Sequence, residues 1–196
     1  MNLGSAAKRS ISDRASGEDK APHENPKYNL FRMSLDTGEM EQISDDVLHG
    51  AGSATKTPDS QLIAFRTQDK AVRVLDMQTG KTTTLYEQVP GFELSSVPSI
   101  ASNRRYVAFC RNESTQAHIH YSGVNYSGFK ERFYWVKDGR ITIAYVDGSG
   151  WFDAFKDTHQ LGHFQFAPDD PTFGMFCHEG PWNLVTQRIW YMDFIS

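Results

Sequence analysis

Cysteine is nearly absent from this chain, with Cys110 and Cys177 the only two. Thiols so few and so distant cannot frame a disulfide scaffold or a zinc knuckle; both stand in apolar strand contexts and are expected to be buried and free. No apolar run approaches eighteen residues, so no membrane helix is expected. The first residues, MNLGSAAKRSISDR, have no apolar stretch of the kind a secretory signal needs. Without secretion the sequons at Asn112 and Asn125 carry no weight. Neither sign of charge dominates. A net charge of −4 over 196 residues offers no general attraction to nucleic acid or to an acidic membrane. The expectation is a cytoplasmic protein, long enough for one sizeable core or two small ones, with neither a membrane nor a nucleic acid as partner.

Helical periodicity is missing too, and a strand repeat takes its place. Residues 1–27 are rich in Ser, Lys, Asp, Glu and Pro and read as a disordered segment. From Tyr28 the pattern repeats. Tyr28 to Met33 and Val72 to Asp76 are strands, each followed by a Thr-Gly hairpin, Thr37-Gly38 and Thr79-Gly80, 42 residues apart. Thr57-Pro58-Asp59-Ser60 before Leu62 to Phe65 is echoed 44 residues later by Ser102-Asn103-Arg104-Arg105 before Tyr106 to Phe109. Pro168-Asp169-Asp170-Pro171 before Gly174 to Phe176 echoes it again. Strands and turns at this spacing predict an all-β fold, a β-propeller of four-stranded antiparallel blades. Strands are expected around 62–66, 72–76, 106–110, 141–146, 163–167, 173–177 and 188–193. The interval from 102 to 168 is longer because 111–135 has no clean period, and it reads as an insertion carrying His118, His120, Tyr121, Lys130 and Arg132. Counting gives about three and a half blades over 28–196, an incomplete ring.

Chemistry-bearing residues concentrate between His159 and Trp190. His163 and Gln165 alternate with Phe164 and Phe166, so both polar side chains share one strand face. Phe173 to Cys177 delivers His178 and Glu179 to its far end. Gly180-Pro181 breaks that strand and projects Trp182, and Arg188 opens the next. Imidazole, carboxylate, amide and guanidinium gathered near one sheet end are the inventory of an anionic-substrate site. A single histidine in a β-rich chain is more often structural, but a structural role does not require so many polar groups in one hairpin.

The runs HQLGHFQF, FCHEGPW and QRIW resemble the signature of the oligogalacturonate lyases, a pectin-degrading family of seven-bladed β-propellers. The resemblance extends from about Tyr28 to the last residue and is strongest after Gln160. It implies β-elimination on short galacturonides, with Arg188 assisting at the substrate and His163, Gln165, His178, Glu179 and Trp182 lining its site. It also implies a Mn²⁺ ion held by three histidines and a glutamine, and a further histidine as base. No residues of this chain match that ligand set or that base, so the chain alone is expected to be inactive as a lyase. Because the protein is itself acidic, an acidic sugar needs a local cation, and Arg188 supplies one. A serine hydrolase carrying a propeller would need a Gly-x-Ser-x-Gly elbow, which is missing. A non-catalytic propeller scaffold is the alternative, although the WD dipeptide is missing and a scaffold gives no reason for the polar cluster.

Overall fold

The computed structural model describes residues 28–50, 52–116, 119 and 127–194. The segment read as disordered, 1–27, lies outside them, as do His118, His120 and Tyr121. The elements are β1 (Phe31–Met33), β2 (Met40–Gln42), β3 (Ala54–Lys56), β4 (Leu62–Arg66), β5 (Val72–Asp76), β6 (Thr82–Tyr86), β7 (Phe92–Ile100), β8 (Tyr106–Glu113), α1 (Phe129–Trp135), β9 (Gly139–Tyr145), β10 (Trp151–Asp157), β11 (Gln160–Phe166), β12 (Phe173–Gly180) and β13 (Ile189–Asp193). All strand pairs are antiparallel. They form sheets of two strands (β1-β2), four (β3-β4-β5-β6), four (β7-β8-β9-β10) and three (β11-β12-β13). This is the blade count read from the turn spacing, and among the described residues the sheets do not close into a ring.

The turns form where their chemistry dictates. Gly38 and Gly80 sit at φ +75° and +71°, a region that favours glycine. Their N–H groups donate to Ser34 and Asp76 carbonyls, both at hairpin ends. The Asp76 carboxylate accepts from the N–H groups of Gln78 and Thr79, closing the second loop from within.

The middle strands of the two four-stranded sheets are apolar on both sides because each of these sheets packs on both neighbours. Ile63, Phe65 and Leu75 meet Leu30 and Leu48 on one side. Leu62, Ala64, Val72 and Val74 meet Val107, Phe109 and Ala144 on the other. The next interface joins Ala108, Cys110, Ile141 and Ile143 to Leu161, Phe164, Phe166 and Phe176. One buried amide stitches that interface. Asn112 Nδ2 donates to Leu161 O at 2.9 Å and to Ser95 Oγ at 2.7 Å, and Leu161 N donates back to Asn112 Oδ1 at 2.8 Å.

Two boundaries differ from the sequence reading. β8 runs on to Glu113, so residues 111–113, counted with the insertion, are strand paired to β7 and β9. Among the described residues the helical part of the insertion is α1 alone. β11 begins at Gln160 and β12 continues to Gly180, because backbone pairing persists past the last apolar residue.

Candidate functional site

β12 is the middle strand of the three-stranded sheet and is paired along both edges. Its alternation decides where each polar side chain goes. Phe176 and His178 turn toward the preceding sheet, where Phe176 meets the Phe155 ring at 5.0 Å. Met175, Cys177 and Glu179 turn to the opposite face, which is open.

On that open face Glu179 is the centre. Its Oε1 lies 3.0 Å from His163 Nε2, and its Oε2 accepts from Arg188 Nη2 at 3.3 Å. His163 reaches it from β11 through a bulge. Pairing with β12 shifts twice: between Gln160, opposite Gly180, and Leu161, opposite His178, it passes over Glu179, and after Gly162 it resumes at Gln165, with His163 between at φ +52°. A non-glycine residue in that region is strained and is retained where surrounding structure holds it. Ser96 in β7, at φ +59° between the paired residues Ser95 and Ser99, repeats the device one sheet earlier. Arg188 stands just before β13, and its Nη2 also lies 3.5 Å from Cys177 Sγ. Burial pushes the Cys177 thiol up, the Glu179 charge adds to this, and Arg188 opposes it. Cys177 is therefore an inert thiol here.

The sequence singled out six residues, and the structure divides them. His163, Glu179 and Arg188 meet. Gln165 is exposed on the same face, paired through its backbone to Met175, with no contact to Glu179. Trp182 stands beyond the end of β12, half exposed. It packs against α1 with ring centroids 5.9 Å from Phe133 and 6.5 Å from Phe129. Tyr134 Oη donates to Asn183 Oδ1 at 2.7 Å and holds the same loop to the helix.

His178 does not join His163 and Arg188 on one face, contrary to the expected convergence, because consecutive strand residues point oppositely. It is buried between sheets. Its Nε2 lies 3.3 Å from Asp157 Oδ2 without hydrogen-bond alignment, and Asp157 Oδ1 lies 3.0 Å from His159 Nδ1. Burial lowers the pKa of His178, with nearby His159 in the same direction and Asp157 opposing. For Asp157, burial raises, but the bonds from His159 and from the Thr158 N–H, with the charge of His178, hold it below the usual carboxylate range. Asp157, His159 and Gly162 were not singled out in the sequence. The Asp-x-His spacing was the only available signal, since the sheet-to-sheet contact is not local.

Could His163, Gln165 and His178 hold a metal together? They cannot, because His178 faces the other way. Among the described residues no group of three His, Cys, Asp or Glu is placed to hold a metal ion. The described residues do not fit the Mn²⁺ site that the resemblance implies.

No family model and no curated protein matches the chain. Solved structures do. An oligogalacturonate lyase in complex with manganese superposes with a TM-score of 0.68 at 18% identity, over 85% of this chain and 43% of that one. The oligogalacturonate lyase of Vibrio parahaemolyticus gives 0.68 at 17% identity with the same coverage. The fold is that of oligogalacturonate lyases. TolB from Acinetobacter baumannii follows at 0.54 and 16% identity, covering 86% of this chain and 36% of that one. Identities this low show the fold alone, and the chain spans less than half the length of the lyases it matches. No helix among the described residues is long and apolar enough to cross a membrane.

Proposed function

We propose that this chain is the carboxylate-binding part of an oligogalacturonate lyase propeller, acting in the cytoplasm on short galacturonides. The observation that carries this reading is the Arg188–Glu179–His163 cluster on the open face, in a fold shared with lyases. β-Elimination of a uronide requires the C6 carboxylate to be neutralised so that the C5 proton becomes acidic. A base then removes that proton and O4 departs. Arg188 suits the first task. Its Nη2 is engaged by Glu179, and its Nε and Nη1 have no hydrogen-bond partner among the described residues. The second N–H of Nη2, together with Nη1 or with Nε, forms an edge of two parallel donors for a carboxylate. His163, with its side chain 70% exposed, adds an imidazole beside it. Trp182 offers a half-exposed aromatic face suited to a sugar ring, fixed by α1. In the lyase with manganese the metal is bound by that protein, and no step is assigned to a metal here.

The test is titration of the chain with sodium digalacturonate by calorimetry, alongside unsaturated-uronide absorbance. Wild type is expected to bind, and Arg188→Lys to bind about ten-fold more weakly, having kept charge but lost the fork. Equal affinities leave Arg188 a structural partner of Glu179. Binding without turnover fits both the carboxylate-binding part and the non-catalytic binding module, and turnover establishes the lyase.

A further inference from the structure

An acidic residue at the centre of a site for an acidic sugar needs an explanation. Glu179 has 15% of its side-chain surface exposed, whereas its partners Arg188 and His163 have 53% and 70%. The carboxylate is therefore the inner member of the cluster, and its two oxygens are divided between two outer cationic or polar side chains. Its seat is built by a missing side chain. An ideal Cβ on Gly162 would stand 2.5 Å from Glu179 Oε1, 3.0 Å from Cγ and 3.2 Å from Cδ. The bulge that begins immediately after Gly162 turns His163 so that Nε2 reaches the same carboxylate.

We infer that Glu179, seated on Gly162, is a positioning residue that orients Arg188 and His163 for a sugar carboxylate without contacting the sugar. The inference rests on the carboxylate-binding reading above. Two opposing effects decide its sign. Glu179 repels an incoming carboxylate, but its charge is already offset by the Arg188 guanidinium that it binds, so the pair as a whole presents little net repulsion. Against this, an arginine side chain fixed in advance spares the rotamer freedom that binding would otherwise remove, about ten-fold or more. Ordering outweighs repulsion, so removing the charge of Glu179 weakens binding.

The experiment uses Glu179→Gln and Gly162→Ala in the full chain. Glu179→Gln keeps the shape and loses the dual anionic acceptor. Gly162→Ala keeps the carboxylate and fills its seat, and because the atoms it meets belong to a flexible side chain, the strand is retained while Glu179 moves. The first readout is ¹⁵N relaxation of the Arg188 Nε–H group without sugar, its signal identified by its loss in Arg188→Lys. Arg188 is expected to be ordered in wild type and mobile in both variants. The second is affinity for sodium digalacturonate, expected to fall about ten-fold in both. An Arg188 equally ordered in Glu179→Gln, or an affinity unchanged or raised, overturns the inference. If wild type binds no digalacturonate, the carboxylate-binding reading fails, and relaxation still decides whether Glu179 positions Arg188.

Discussion

His178 and Glu179 are consecutive in β12 and serve different sites. His178 Nε2 lies 3.3 Å from Asp157 on the buried face, and Glu179 Oε1 lies 3.0 Å from His163 on the open face. One strand thus carries an inter-sheet clasp and a candidate ligand cluster back to back. A perturbation of either has a separate signature.

The clasp should respond to acid. His178 has its pKa lowered by burial from 6.5, so folding favours its neutral form, and the unfolded chain binds more protons as pH falls below that value. Its contribution is complete above 6.5 and is lost on acidification. Asp157, held below the usual carboxylate range, acts in the same direction at lower pH. Stability measured by urea unfolding should fall from about pH 7.5 to about pH 5, and the slope should flatten in His178→Phe, which fills a similar space without titrating. Equal slopes in the two proteins would exclude the clasp.

The architecture was legible because it repeats. The Thr-Gly hairpins of the first two sheets and the turns at 57–60, 102–105 and 168–171 in the last three are local signals, set by backbone conformation, and the four sheets fall where those signals placed them. The cluster was legible only in outline. Alternation within β11 put His163 and Gln165 together correctly, but the bulge at His163 and the opposite facing of His178 depend on register, which no single strand displays. Asp157 and His159 escaped notice because their partner lies a sheet away. Gly162 escaped because a seat is visible only once its occupant is known.

The amide of Asn112 should prove costly to remove. It accepts from the Leu161 N–H on the neighbouring sheet and shares the Leu161 carbonyl with Ser95 Oγ, and both Asn112 and Leu161 are fully buried. Asn112→Leu leaves the buried Leu161 N–H unpaired and Leu161 O with Ser95 Oγ, at 3.0 Å, as its remaining donor, an expected loss of about 1–3 kcal/mol. Asn112→Asp keeps the acceptor for Leu161 N–H but sets a carboxylate oxygen against Leu161 O, so it should be no better. Denaturant midpoints at constant m-value measure this. A loss well under 1 kcal/mol in Asn112→Leu would mean that water replaces the amide.

Arg111 is the largest fully buried side chain, 2% exposed. It donates to both oxygens of Asp153 at 2.7 and 2.8 Å and to Thr142 at 3.0 Å. Its guanidinium lies 4.7 Å from the Trp151 ring centroid and 4.8 Å from that of Phe92. Arg111→Met removes one ion from a buried pair, which typically costs about 3–5 kcal/mol, and the low end is expected because Arg140 still donates to Asp153 at 2.7 Å. Arg111→Lys should be destabilising as well, since a single ammonium cannot reproduce the planar contacts with two rings and three oxygens. Thermal unfolding of the three proteins tests the order, wild type above both variants. A Lys variant as stable as wild type would show that charge alone matters at this position.

The open face of the three-stranded sheet should govern association of the chain in solution. Register places Met175 opposite Tyr191 and Cys177 opposite Ile189, so alternate residues of β12 and β13 share that face. Tyr191 is 74% and Ile189 64% exposed. Among the described residues nothing pairs with the outer edge of β13, so its free N–H and C=O groups border an apolar surface. An unprotected edge beside exposed apolar side chains is a template for pairing with another chain. Charge at such positions is the usual protection, and on an exposed face it changes stability by only about ±0.5 kcal/mol. Ile189→Lys combined with Tyr191→Lys should therefore leave the circular dichroism spectrum unchanged. Wild type should show concentration-dependent association by light scattering, and the double variant should remain monomeric over the same range. A monodisperse wild-type monomer at every concentration would show that this face does not drive association. Association persisting in the double variant would move the contact elsewhere, the exposed Met33, Leu35 and Met40 of the first hairpin being the next surface to charge.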